Sequence, residues 1–153
     1  VTYPQADDVK KLYSYAIYLS KGEVDQENLK EIFGLHMRQL KYYGQALVYL
    51  DLAIKKNEYY LVNKDGYKLA NSSIIDRKKI FIEKCLQIPT IRQSYFKFLN
   101  ASPLKINILK KFIISQIKIY QGHKYSDSTL SRRANTIYRW LVYIDDNINE
   151  VIK

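Results

Sequence analysis

Cysteine, glycine and proline are scarce in this chain, and each scarcity excludes a class of protein. The 153 residues include one Cys, five Gly and three Pro. The single Cys85 excludes an internal disulfide framework and a multi-cysteine zinc site, and its place in an apolar-spaced run predicts a buried thiol. Few Gly and Pro leave little material for the tight turns of an all-β sandwich or for a Gly-rich phosphate loop. The sequence therefore predicts a mainly α protein.

Long apolar runs and a secretory leader are also missing. The apolar stretches, such as 112–115, are far shorter than the roughly 20 residues that span a bilayer. The first residues mix acidic and basic side chains and lead into no apolar leader segment. We therefore expect an intracellular, cytoplasmic protein of a prokaryote with no membrane partner. Because the chain begins with Val, we expect a processed protein or a segment of a longer one.

The residues that are abundant are hydrophobic, aromatic and basic. Hydrophobic residues make up 47% of the chain and aromatic residues 14%, with 15 Tyr, which is enough to bury a core. Lys and Arg number 25 against 15 Asp and Glu, a net charge of +10 that favours a polyanionic partner. Between residues 84 and 139 eleven basic residues accompany a single acid, Asp127. Such clustering is typical of a binding face, with a solvated lysine-rich coat as the alternative.

Apolar residues spaced by three and four predict helices along most of the chain. In the first half we expect helices at 7–20, from Asp25 to Gly34 and at 36–50, and then a hairpin of 52–55 and 59–62. That order is the order of a winged helix. Further helices are predicted at 64–69, 74–87, 91–99, 104–120 and 128–146, with Pro103 in the first turn of the fourth and Ser126 or Asp127 capping the last. Because Pro89 predicts a break at Ile88, we expect two helix-turn-helix subdomains, 1–87 with the wing and 88–153 without one.

Two of these helices carry side chains of the types that contact DNA, on the face opposite their apolar stripe. On 36–50 they are Arg38, Tyr42, Gln45 and Tyr49, flanked by Gln39 and Lys41. On 128–146 they are Ser128, Ser131, Arg132, Asn135, Tyr138 and Arg139, flanked by Arg133 and Thr136. The acids Asp145, Asp146 and Glu150 follow at the far end, so we expect the N-terminal half of this helix to enter the major groove. The alternative for both faces is a solvated polar surface.

The same residues resemble a known module. Arg38-Gln39-x-x-Tyr42-Tyr43-x-x-Ala46-x-x-Tyr49-Leu50, followed by Tyr60, Gly66 and Leu69, resembles the recognition helix, wing and next helix of a winged-helix domain. Ser128-Thr129-x-x-Arg132-Arg133-Ala134-x-Thr136-x-x-x-Trp140-Leu141 resembles the C-terminal helix of that module in type II restriction endonucleases and related restriction-system proteins. Together the two segments span about 25–144.

The resemblance implies sequence-specific recognition of double-stranded DNA, with cutting done by a separate nuclease domain or subunit as a second partner. By this resemblance the DNA contacts would come from Arg38, Gln39, Tyr42, Arg132, Arg133, Asn135 and Thr136. Two alternatives of other kinds remain, a winged-helix adaptor that binds proteins and a small transcription or replication regulator. RNA binding is a further option, although no sheet for stacking bases is predicted.

We expect no catalysis in this chain, and neither a cofactor nor a metal. Asp65 together with 76–78 matches the sequence pattern of a metal-dependent nuclease, which is an acid followed later by acid-x-Lys. In such a site the second acid lies on a strand, whereas Asp76 leads into a predicted helix. His36 and His123 have no Cys or second His at ligand spacing. Lysines 105, 110, 111 and 118 are expected to neutralise phosphates and make DNA affinity depend on salt.

Overall fold

The computed structural model describes residues 4–22, 37–100, 106–120 and 125–152. The predicted helix from Asp25 to Gly34 lies outside the described residues, as do Pro103, His36 and His123. Within the described ranges the protein is mainly helical, with one small antiparallel hairpin after the first helices. This arrangement confirms the predicted fold class and is like that of a winged helix.

The first half contains α1 (Val9–Ser20), α2 (Met37–Tyr49), β1 (Ala53–Lys56), β2 (Tyr59–Val62) and α3 (Lys64–Ala70). Each was predicted within a residue or two, and the Asp8 side chain caps α1 by accepting from the amide of Lys11. In the hairpin, Lys56 pairs with Tyr59 across a two-residue turn. Asn57 takes the left-handed conformation there, with φ of 56°, which Asn tolerates better than most residues.

The second half contains α4 (Ile74–Leu86), α5 (Pro89–Leu99), α6 (Ile106–Tyr120) and α7 (Asp127–Val151). The predicted helix break at Ile88 is confirmed, but α5 begins at Pro89 and not at residue 91, because proline is well suited to the first position of a helix. Ser126 caps α7, and this helix continues past residue 146 to Val151. None of the helices in the described ranges combines the length and apolar character needed to cross a bilayer.

Buried side chains from both halves of the chain meet in one hydrophobic cluster. Its centre is aromatic: the Phe81 ring lies 5.8 Å from that of Tyr13 and 5.6 Å from that of Trp140, edge to face in both cases. The Trp140 indole N–H also donates to the Ala6 carbonyl at 2.8 Å. The predicted subdomains 1–87 and 88–153 therefore share a core. Cys85 lies inside it fully buried, as predicted, and burial raises the pKa of its thiol.

Candidate nucleic-acid interface

An open groove of about 990 Å³ brings together the two helices whose polar faces were singled out from the sequence. Helix α2 contributes Gln39 and Tyr42 to its lining, and α7 contributes residues from Asn135 to Asp146. The predicted contact residues Arg38 and Arg132 lie outside this lining. A third side is formed by residues of the segment 5–11 that leads into and begins α1. Side chains that are about 100 residues apart in sequence are thus placed around one surface.

The predicted contact residues of α2 divide into an exposed and a half-buried set. Arg38, Gln39 and Lys41 are exposed, whereas Tyr42, Gln45 and Tyr49 are half-buried. Arg38 and Tyr42 lie one helical turn apart, and Arg38 Nε donates to the Tyr42 hydroxyl at 2.8 Å. The Tyr49 ring packs 6.3 Å from Trp140, so Tyr49 supports the core more than it offers a contact to a ligand.

The predicted contact residues of α7 divide in the same way. Ser128, Ser131, Arg132 and Arg139 are exposed, and Asn135 is half-buried in the groove lining. Arg132 Nη2 donates to Thr129 Oγ1 at 3.3 Å, which steadies the guanidinium near the start of the helix. Thr136 was expected at the flank of this face, but it is buried and its hydroxyl donates to the Arg132 carbonyl. Thr136 thus bonds back to its own helix and does not line the groove.

Arg133 is also buried where the helical pattern placed it at an exposed flank. Its side chain is only 8% exposed, and its guanidinium carbon lies 4.7 Å from the centre of the Tyr125 ring. Nε and Nη1 are buried, and no hydrogen-bond acceptor within the described residues reaches them. Burial lowers the pKa of this guanidinium, which nevertheless stays cationic at neutral pH. Nothing local in the sequence signals this, because the residue that covers Arg133 precedes the helix.

Acidic residues lie along another part of the groove. Asp7, Asp8 and Asp146 contribute to its lining, and Asp7 Oδ2 is 3.6 Å from Arg139 Nε. Asp146 follows Asn135 by about 16 Å along α7. The first half of α7 is therefore acid-poor and the second half acidic, which is the asymmetry that the sequence predicted for this helix.

Several basic residues outside the groove form ion pairs or hydrogen bonds within the fold. Lys84 Nζ lies 2.6 Å from Asp65 and 3.4 Å from Asp51, and Arg92 donates to the Leu86 carbonyl at 3.2 Å. Lys84 and Arg92 belong to the basic window of 84–139, so part of the charge that was assigned to a binding face serves packing.

The residues that match the sequence pattern of a metal-dependent nuclease do not lie together in one site. Asp65 is paired with Lys84, and Lys78 forms an ion pair with Glu150 at 2.9 Å. Asp76 lies in the first turn of α4, where the Ser73 hydroxyl caps the helix at its amide. Over the part of the chain that the structure describes, no three potential metal ligands of the His, Cys, Asp and Glu types come together.

Comparisons with known proteins give a family without an assigned activity. No curated protein and no solved structure matches the chain. One family model matches residues 12–149, a range that includes both helices of the groove and the hairpin between them in sequence. The chain belongs to this family, which is described as domain of unknown function DUF7226.

Proposed function

We propose that this protein is a non-enzymatic domain that binds double-stranded DNA through the groove between α2 and the middle of α7, together with exposed side chains of the first turns of α7. One observation carries the proposal. Two helices far apart in sequence supply amide and guanidinium side chains, Gln39, Asn135 and Arg139, to the lining of the same groove. Amides can pair with adenine and guanidinium groups with guanine or phosphate, so this surface offers both base and backbone contacts.

The charge distribution supports docking by the N-terminal half of α7. Arg132 and Arg139 are exposed there, Arg38 and Lys41 are exposed on α2, and Asp127 is the one acid of that half of α7. Asp145, Asp146 and Glu150 lie in the other half, where they would repel phosphate. A major groove about 12 Å wide admits one α-helix, and α7 entering by its first turns keeps those acids away from the backbone.

The resemblance to restriction endonuclease modules supports a more specific version of this proposal. In that version the domain selects the target sequence, and a nuclease domain or subunit cuts the DNA. A transcription or replication regulator would use the same surface, and the two differ in whether a nuclease accompanies the domain. Enrichment of one short motif is expected in either case.

The proposal is tested by fluorescence anisotropy with a randomised duplex pool at about 50 and 200 mM salt, followed by sequencing of the retained duplexes. The decisive variant is Arg132→Glu, which reverses an exposed charge of the proposed contact face. The matched control is Lys79→Glu on α4. Lys79 is exposed, and its neighbour Lys78 contacts Glu150, which lies about 27 Å from Arg132 along α7.

We expect Arg132→Glu to lower duplex affinity by about tenfold or more and to reduce the slope of log affinity against log salt by about one. Lys79→Glu should stay within about twofold of the parent protein. Equal losses in the two variants would mean that net charge, and not this face, drives binding. The absence of binding at either salt concentration would overturn the proposal.

A protein partner is the second candidate, and exposed apolar side chains favour it. Phe96 and Leu99 on α5 and Ile108 and Ile119 on α6 are each more than half exposed. Such residues are enriched where proteins associate. Charge reversal at Arg132 and Arg139 separates the candidates, because a partner bound on α5 and α6 would be retained whereas duplex DNA would be released.

A further inference from the structure

The burial of Arg133 is not explained by hydrogen bonds within the described part of the fold. Its guanidinium is planar and always charged, and its N–H groups point outward in the plane. The guanidinium carbon lies 4.7 Å from the centre of the Tyr125 ring. Nε and Nη1 are buried with no acceptor among the described residues. A buried donor of a charged group that lacks an acceptor is costly, so these N–H groups are suited to an acceptor from outside the protein.

The contrast with Arg77 shows that this fold does satisfy an arginine where the arginine is structural. Arg77 donates to the carbonyls of Leu69, Ala70 and Ser72, at 3.2 to 3.3 Å, and its guanidinium also lies over the Tyr13 ring. These contacts close the end of α3 against α4. Arg133 has the aromatic contact and lacks the carbonyls.

The groups around Arg133 are cationic or phenolic. The phenols of Tyr125 and Tyr42 and the guanidinium of Arg132 lie close enough to influence it, and no carboxylate within the described residues does. Tyr42 in turn accepts a hydrogen bond from Arg38 Nε at 2.8 Å. The Tyr42 phenol of α2, with Arg38 bonded to it, therefore lies near enough to the Arg133 guanidinium of α7 to interact with it electrostatically.

We propose that Arg133, Tyr42 and Arg38 form a binding site for a phosphate group. Nη2 of Arg133, together with either Nε or Nη1, can hold two oxygens of a phosphate in a fork, and the Tyr42 hydroxyl and the Arg38 guanidinium supply further donors. Tyr42 also lines the groove, so the bound group lies at the margin of the proposed DNA surface. The identification of this phosphate as a backbone phosphodiester rests on the proposed function; a free phosphate or nucleotide would be recognised by the same chemistry.

Because Nε and Nη1 are buried, phosphate binding requires a local movement of side chains. Tyr125 precedes the α7 cap residue Ser126 and lies outside the helix, whereas Arg133 is within the second turn of α7, which fixes the position of its backbone.

The first test measures the thermal midpoint of the full chain in inorganic phosphate and in chloride at matched ionic strength. A ligand that binds only the folded state raises the midpoint with its concentration. We expect phosphate to raise the midpoint of the parent protein more than chloride does, and to lose this advantage in Arg133→Met. Arg38→Met should reduce the advantage at an exposed position that does not endanger folding, and Lys79→Met should leave it unchanged.

The second test uses duplexes that each carry one neutral methylphosphonate linkage. For the parent protein, one linkage position is expected to lower affinity by about tenfold, as the loss of a charge-assisted contact predicts. Arg133→Met should bind less tightly overall and should be insensitive to that same linkage. This pattern would identify the source of the phosphate as DNA.

The outcomes separate the two proposals. Duplex binding with no effect of Arg133→Met, and equal protection of parent and variant by phosphate, would overturn the phosphate site and leave DNA binding intact. Protection by phosphate that depends on Arg133, together with no duplex binding, would retain the site and reject DNA binding. If Arg133→Met fails to fold, the Arg38→Met protein decides, because undiminished protection by phosphate in that variant would reject the site.

Discussion

Helix α4 and the N-terminal half of α7 are both rich in basic residues, and they use them differently. In α4, Arg77 is bonded to carbonyls, Lys78 to Glu150 and Lys84 to Asp65 and Asp51. In the first half of α7, Arg132 donates to a threonine hydroxyl and Arg133 lies 4.7 Å from the Tyr125 ring, with no carboxylate of the described residues bonded to either. Arg139 has one contact of 3.6 Å with the exposed Asp7. The number of basic residues therefore overstates the charge that a ligand can use. A basic residue to which the fold supplies acceptors serves packing, and one without acceptors is available for binding a ligand.

Removing one arginine from each helix is the most direct test of this comparison. Arg77→Met leaves three backbone carbonyls without their donor, and we expect the free energy of unfolding to fall by ~2–4 kcal/mol. Arg133→Met removes a buried cation that lacks an acceptor, and we expect it to be within about 1 kcal/mol of the parent or more stable. Urea unfolding in chloride buffer measures both. Similar losses in the two variants would show that Arg133 is as structural as Arg77.

The ion pair between Asp65 of α3 and Lys84 of α4 should also affect how stability depends on pH. The hydrogen bond and charge of Lys84 lower the pKa of Asp65 below its usual value of 3.8. Burial lowers the pKa of Lys84, but Asp65 and Asp51 outweigh that effect and raise it above 10.5. A lowered carboxyl pKa contributes stability above about pH 4 that is lost as the pH falls, and a raised lysine pKa contributes stability below 10.5 that is lost as the pH rises.

Asp65→Asn is therefore expected to lower stability at neutral pH and to flatten the decline in stability below about pH 4. The measurement is the urea midpoint between about pH 7 and 3. Asp76→Asn is the control, since Asp76 is exposed on α4, the helix of Lys84, and has no ion pair within the described ranges. If the stability of Asp65→Asn declined below about pH 4 as steeply as that of the parent protein, this would contradict the role of the Asp65–Lys84 ion pair.

A smaller effect is expected where an acid meets the proposed binding surface. Asp7 lies 3.6 Å from Arg139 and contributes to the groove lining, so it competes with phosphate for that guanidinium. Asp7→Asn should strengthen duplex binding by about two- to threefold at low salt, and this gain should fade at higher salt. Both side chains of the pair are largely exposed, so we expect little change in stability. Weaker binding of Asp7→Asn in the anisotropy titration would contradict the proposed docking surface.

The helices and the hairpin were predictable because local signals specify them. Apolar spacing and a capping Asp8 mark α1, and the polar turn at Asn57 separates two β-prone runs. The two errors in helix boundaries also have local causes. Pro89 predicts a break in the helical pattern, yet it begins α5, and α7 continues to Val151, more than one turn past residue 146.

The site was less predictable because it depends on contacts between distant segments. Helical periodicity identified the polar faces of α2 and α7, but it could not show that both line one groove, which depends on the packing of Trp140 against Ala6 and of α1 against its neighbours. The same pattern placed Arg133 and Thr136 at exposed flanks. An angle around a helix axis does not report that Tyr125, or a backbone carbonyl of the helix itself, occupies that flank.

The indole of Trp140 gives this protein a built-in optical reporter. It is the one tryptophan of the chain, fully buried, and its N–H donates to Ala6, the residue next to the groove-lining Asp7. Emission from such a site is free of overlapping tryptophan signals and responds to the carbonyl beneath the groove. Any ligand that shifts the segment 5–8 should change the intensity or wavelength of that emission, so occupancy of the groove can be followed without attaching a label.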